Sequence, residues 1–290
     1  MNRREFLQCG YLSVIASVLY RANAFSFLSF SDIQQRLCEE KFRYAAKHHL
    51  SQKPLPEIVT DIARSFIGTP YVAHTLDLEN GERLIIRLDG VDCVTLYEYS
   101  LAFARCIKKR TTTYDGFCNE VQFLRYRNGI IDGFASRLHY TSDYFYNNEE
   151  KGVLKNITKE LGDVPYKKTI NFMTMHRELY PALRDDAAFR AIQSVEKEIN
   201  SRQLFYIPKS KVSSIAQSIH SGDIIAITTT KEGLDCSHTG IALQKNNDLY
   251  FIHAPVPGSA VQMTQIPLWK YLQKNSEQSG VMVARPQEVQ

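Results

Sequence analysis

The chain predicts an α+β domain, and three features of the sequence point there. Apolar residues recur at helical spacing through the first half, up to about residue 127. Five short apolar runs follow residue 222, with turn-like stretches between them. Between these halves lies a stretch rich in Tyr, Asn, Lys and Glu with no strand signal until Phe205. Helices first and strands afterwards imply α+β rather than alternating units. With 290 residues, 44% of them hydrophobic, the chain can bury a full core.

Residues 31–49 read as a helix, with Ser31 or Asp32 as its cap and Ile33, Leu37 and Phe42 among its apolar positions. Pro54 and Pro56 interrupt it, and a second helix is expected over 56–67, ending at Gly68. Residues 83–88, Arg-Leu-Ile-Ile-Arg-Leu, read as a short strand. Strong helical spacing covers 93–108, and another helix is expected over 114–127. Residues 134–200 read as a helical insertion, with helices near 176–183 and 186–199. The runs at 224–227, 239–243, 249–252, 261–264 and 281–284 follow. Ser221-Gly222-Asp223, Asn246-Asn247-Asp248 and Pro257-Gly258-Ser259 punctuate them, which suggests a meandering antiparallel sheet.

The N-terminus reads as an address. Arg3-Arg4-Glu5-Phe6-Leu7 resembles the twin-arginine export signal, an apolar run over 9–20 follows, and Ala22-Asn23-Ala24 is a small-x-small cleavage site. Arg21 departs from a typical signal, and a short amphipathic helix is the plainer reading of this stretch. The expected organisation is a signal peptide at 1–24 and one domain over 25–290, exported to the periplasm or outside the cell. The chain carries a net +4, and cutting after Ala24 leaves +2. So small a balance excludes a typical nucleic-acid binder. No later stretch approaches the roughly 18 apolar residues of a membrane span.

Five cysteines follow Ala24, an odd number, so an exported protein keeps at least one thiol unpaired. No C-x-x-C pair is present and no metal or other cofactor is expected. Gly90-Val91-Asp92-Cys93-Val94-Thr95 is the most informative segment. Gly90 permits a sharp turn, and Asp92 is a good N-cap that puts Cys93 at the first helical position. Free N–H groups and the helix dipole there favour a thiolate and can donate to a developing oxyanion. The plain alternative is a buried, inert cysteine, which is where Cys38, Cys106 and Cys118 are left.

A cysteine nucleophile needs a base, usually histidine. His238 opens one expected strand and His253 closes the next. A hairpin through Asn246-Asn247-Asp248 brings the two together, so His253 can fix the tautomer of His238 as the third member of a triad. Gly240 leaves room on one face for a neighbouring group. Either histidine alone reads equally well as structural.

Together these segments resemble a known family. Gly68-Thr69-Pro70-Tyr71, Val91-Asp92-Cys93, Gly222-Asp223-Ile224-Ile225, His238-Thr239-Gly240-Ile241 and Ile252-His253-Ala254 follow the order of the NlpC-type papain-like cell-wall cysteine hydrolases. The pattern looks like the N-acetylmuramoyl-L-alanine amidase-like branch, which Arg125-Tyr126-Arg127-Asn128-Gly129 and residues 136–143 also fit. The resemblance spans about 56–285. It implies a papain-like core with the nucleophile helix packed on the sheet, Cys93 as nucleophile, His238 as base and His253 as the third polar residue. It also implies an oxyanion role for the Tyr71 hydroxyl, although Tyr71 could equally be a packing aromatic. Two departures stand near the expected groove. Val94-Thr95 replaces a small Ser-Gly, and Val72-Ala73-His74 replaces an aromatic-Gly-Gly stretch.

The expected reaction is hydrolysis of an amide in peptidoglycan or a muropeptide through a thioester. The bond is either that between muramic acid and L-alanine or one within the stem peptide. Arg137, His139, Tyr140 and Asp143 are candidates to line the substrate cleft, or else form a helix-cap network. Three other readings stay open: acyl transfer from the same thioester, a cell-wall-binding protein without activity, and metal ligation by Cys236 and His238.

Overall fold

A computed structural model describes residues 29–77 and 81–289; the expected export signal lies outside them. Helices and strands run in the order α1 (Phe30–Lys47), α2 (Leu55–Ser65), α3 (Cys93–Lys109), α4 (Tyr114–Arg125), α5 (Thr141–Glu150), β1 (Leu154–Asn156), α6 (Thr158–Gly162), β2 (Val164–Pro165), α7 (Phe172–Met175), α8 (Asp186–Ser201) and β3 (Phe205–Pro208). After these come α9 (Val212–Ile215), β4 (Ile224–Thr229), β5 (Cys236–Lys245), β6 (Asp248–His253), β7 (Gln262–Met263), α10 (Leu268–Gln273) and β8 (Gln278–Pro286). Residues 34–290 form one compact unit, which holds the sheet and the candidate site.

The α+β reading stands: strands β4 to β7 form an antiparallel meander. The sheet does not end there. β8 returns to the free side of β4, and β3 and then β2 extend it beyond β8. β4 thus lies between two strands with all six residues buried. Its apolar run, without alternation, is what a strand covered on both faces requires. One face, through Ile224, Ala226, Ile241, Leu243 and Ile252, packs on α2 and α3 at Ile58, Ile62, Leu96 and Phe103. The other, through Ile225, Ile227, Ala242, Phe251 and Val283, packs on Leu268 and Leu272 of α10.

Three expectations fail locally. Residues 83–88 form no strand. Their backbone groups are taken by side chains: Arg87 N–H donates to the Tyr99 hydroxyl at 3.1 Å, Leu88 N–H to Gln34 Oε1 at 2.6 Å, and Ile85 O accepts from Arg125 at 2.7 Å. The expected helix over 176–183 is two 3₁₀ turns, Arg177–Leu179 and Pro181–Arg184, parted just before Pro181. The insertion also contains α5 and gives β1 and β2 to the sheet, so it is not purely helical. Its core is nonetheless its own, built from Ile170, Met173, Leu183, Ile192 and Ile199.

A buried ion pair ties α3 to α4. Arg125 Nε donates to Glu98 Oε2 at 2.9 Å, and both side chains are 2% exposed. Removing one partner leaves an uncompensated buried charge. Arg125→Met is expected to cost about 3–5 kcal/mol in urea unfolding. Near-wild-type stability would show that the pair contributes little to the scaffold.

Candidate active site

The site is built at the start of α3. Asp92 has extended backbone, and its carboxylate accepts from Val94 N–H at 3.0 Å and Thr95 N–H at 2.7 Å. Thr95 Oγ1 accepts from Asp92 N–H at 2.9 Å, which completes a capping box and fixes Cys93 as the first helical residue. Thr95 therefore has a structural reason to stand where the resembling family has a small residue. Gly90 is required before it, because a Cβ there would lie 2.4 Å from Val72 Cγ2.

The cap changes what the helix end can do. It occupies two of the N–H groups expected to face an oxyanion, and among the described residues the Cys93 N–H donates to no other residue. The Cys93 thiol is also not a resting thiolate. Burial, and then the Asp92 carboxylate, push it up to about 11, against weaker pulls from the Thr239 hydroxyl and amide. The sequence expectation of a favoured thiolate at this helix start meets an opposing effect, burial first and the charge of the cap second.

The hairpin β5–β6 brings the histidines together. Asn246 and Asn247 take φ of 52° and 61°, the left-handed values of a tight hairpin turn. Ile241 then pairs with Ile252, and the start of β5 meets the end of β6. His238 Nε2 and His253 Nδ1 lie 2.8 Å apart. The Phe251 ring passes over Gly240, where a Cβ would lie 2.3 Å from Phe251 Cδ2. Tyr271 closes the group, 5.5 Å ring to ring from His253. Burial lowers His238 to about 4, and burial followed by His238 lowers His253 to about 3. Both rings are therefore neutral at pH 7, with one proton shared along their contact.

Thr239 fastens this hairpin to the nucleophile candidate, its hydroxyl donating to Cys93 O at 2.7 Å. Thr239, Ile241 and Leu243 turn toward α3, while Ala242 and Phe251 belong to the other face, to which the His238 ring also packs. Among the described residues no hydrogen bond joins Cys93 Sγ to His238. Burial raises Tyr271, which packs beside the histidines. Tyr71 is half-buried and pushed up to about 12, by burial first and then by Cys93 and Asp92, so its phenol keeps its proton.

A cavity of about 410 Å³ opens beside these groups, lined by Tyr71, Asp92, Val94, Arg137, His139 and Tyr180 among others. Of the four insertion residues proposed from sequence, Arg137 and His139 reach it, and Tyr140 and Asp143 do not. Tyr140 donates to Glu196 at 2.7 Å and accepts from Met173 N–H at 2.9 Å. Asp143, 1% exposed, is held between Arg127 at 2.6 Å and Arg202 at 2.7 Å. Those two fasten the insertion. Neither that cavity nor a hollow of about 480 Å³ at Asp132, Phe134 and Pro181 is lined by Cys93, His238 or His253; the cavity of about 410 Å³ is the one that touches the residues on either side of Cys93, Asp92 and Val94. Cys236 is buried, its thiol pushed far up by burial and then by Asp235. Among the described residues no three His, Cys, Asp or Glu side chains converge to hold a metal. Sequence reasoning missed Thr239 as a tether and Tyr271 and Tyr180 as neighbours, since no spacing rule links them to the motif segments.

Residues 61–281 match the model of the AmiA-like, N-acetylmuramoyl-L-alanine amidase-like family. The chain belongs to that family. A crystal structure of an N-acetylmuramoyl-L-alanine amidase from Bacteroides uniformis is similar to this family member at 33% identity and a TM-score of 0.76, covering 80% of this chain and 99% of its own. A Bacteroides fragilis protein whose proposed activity is that of a xylanase is similar at 36% identity and a TM-score of 0.72, covering 77% of this chain and 98% of its own. A Legionella pneumophila protein at 20% identity and a TM-score of 0.66, covering 88% of this chain and 95% of its own, shares the fold. No curated protein sequence matches the chain.

A thiol raised to about 11 predicts a definite alkylation profile. Iodoacetamide should modify Cys93 about tenfold faster per pH unit on the way up to that value. A plateau reached below pH 7, followed by peptide mapping, would instead reveal a preformed thiolate–imidazolium pair.

Proposed function

We propose that this family member is an NlpC-type papain-like cysteine amidohydrolase acting on muropeptides or peptidoglycan, exported to the cell envelope or beyond. The observation that carries the reading is the 2.8 Å His238–His253 contact on a hairpin fastened through Thr239 to the residue that bears the thiol. A histidine whose far nitrogen is held by a polar partner, beside a cysteine at a helix start, is the arrangement nucleophilic catalysis needs. The amidase from Bacteroides uniformis and the family match support an amide as the bond.

The base role requires one tautomer. His238 Nε2–H donates to His253 Nδ1, which leaves His238 Nδ1 free to accept. Because thiol and imidazole both rest neutral, the proton leaves Cys93 for His238 as sulfur attacks the substrate carbonyl carbon. The C–S bond forms, and the carbonyl π pair moves onto oxygen. The unengaged Cys93 N–H and the protonated Tyr71 hydroxyl are the donors available to that oxyanion. The C–N bond then breaks, and the amine leaves with the proton from His238. Water deprotonated by His238 adds to the thioester, the C–S bond breaks, and the Cys93 thiol is restored. The cleaved bond is that between the muramoyl lactyl group and L-alanine, or one in the stem peptide.

Glycoside hydrolysis, the activity proposed for the Bacteroides fragilis relative, needs two carboxylates free to act across the sugar. Here Asp92 accepts from two amides and Glu98 is paired with Arg125.

Mass spectrometry of a muropeptide panel after digestion names the bond. The wild-type protein is expected to release free amine-terminated peptide, Cys93→Ala to fall below detection while remaining folded, and Cys236→Ala to remain active. Turnover retained by Cys93→Ala would reject the mechanism.

A further inference from the structure

We infer that Arg137 binds a carboxylate of the substrate in the cavity beside Cys93, so that the protein selects acidic muropeptides over their amidated counterparts. The inference rests on the muropeptide reading above and adds the chemistry of its recognition.

Arg137 is 8% exposed, yet among the described residues its guanidinium makes no hydrogen bond. Glu82 Oε1 forms an ion pair with Nε at 3.4 Å, outside hydrogen-bonding geometry, so the charge has a partner while the Nε–H hydrogen bond goes unmade. The Phe134 ring lies 5.2 Å from its Cζ atom and offers no acceptor oxygen. The carboxylates nearby are already engaged. Glu98 accepts from Arg125 at 2.9 Å, Asp92 from Thr95 N–H at 2.7 Å, Glu82 from the Tyr126 hydroxyl at 2.7 Å, and Asp77 lies 2.7 Å from His74 Nδ1. A buried donor set left unpaired is costly. Arg137 lines a cavity together with Tyr71 and Val94. A carboxylate is the group that fills a guanidinium fork with two parallel bonds.

His139 fits this reading. Its Nε2–H donates to Phe134 O at 2.8 Å, and burial, then Arg137, hold it well below the usual imidazole range. It therefore stays neutral and leaves Arg137 as the cation for the incoming anion. An amidated substrate offers one carbonyl oxygen, no charge and an NH₂ that faces the guanidinium.

The test measures binding rather than turnover, using full-length Cys93→Ala protein and calorimetry. The probes are N-acetylmuramoyl-L-alanyl-D-glutamate and N-acetylmuramoyl-L-alanyl-D-isoglutamine, which differ in one carboxylate. The acid is expected to bind about 10- to 100-fold more tightly, from the usual strength of charged hydrogen bonds. Arg137→Gln should erase that preference, and Arg137→Lys should restore part of it. The comparison of probes on an intact Arg137 stands even if either variant fails to fold. Equal affinity for both probes would overturn the inference while leaving the muropeptide reading in place. Failure of both to bind would overturn the muropeptide reading and this inference with it.

Discussion

Asp92 clamps the start of α3, and the rest of the site is arranged around that clamp. Its carboxylate takes the N–H groups of Val94 and Thr95, and Thr95 returns a bond to its backbone. A helix start held this way cannot fray, so Cys93 stays at a fixed point beside β5. Thr239 holds the strand to that same point through Cys93 O. The clamp also has an electrostatic consequence. Burial of the sulfur, and then the negative charge beside it, work against the helix dipole and raise the thiol. In the mechanism proposed for Cys93, the cap thus positions the sulfur without ionising it beforehand, and the proton transfer falls at the moment of attack.

The same economy of neutral groups runs through the site. His238, His253 and His139 are held neutral mainly by burial, and Tyr71 keeps its proton. Arg125 and Glu98 cancel each other at the back of the cavity. Arg137 lines that cavity with its Nε–H ion-paired to Glu82 and without a hydrogen-bond acceptor. Burying neutral hydrogen-bonding groups is cheaper than burying lone charges. A substrate that brings its own negative charge would meet a cation whose desolvation the fold has already accepted.

Much of this was legible in the sequence, for physical reasons. Asp-Cys before a helical run marks a cap at any site. Asn246-Asn247 between two apolar runs specifies the hairpin that aligns His238 with His253. Both signals are local, and the structure reproduces them. The strand over 83–88 was misread because its apolar pattern says nothing of Tyr99, Gln34 and Arg125, which claim its backbone from distant parts of the chain. The proton state of Cys93 is not legible in the sequence, because the helix dipole opposes burial and the cap charge, and burial, the largest of the opposing effects, is set by the fold. Tyr140 and Asp143 look like their neighbours Arg137 and His139 in sequence. Their partners, Glu196 on α8 and Arg202 just after it, lie some fifty to sixty residues further along. The return of β8 to β4 is likewise a long-range choice that no turn signal encodes.

The account depends on sulfur at position 93 becoming covalently acylated. Acid-quenched intact-mass analysis during turnover of a muropeptide tests this directly, with the modified residue located by peptide mapping. The expected result is a mass increment equal to the acyl portion, carried by Cys93 and decaying as product accumulates. An acyl group found on another residue, or full turnover by protein lacking sulfur at position 93, would contradict it.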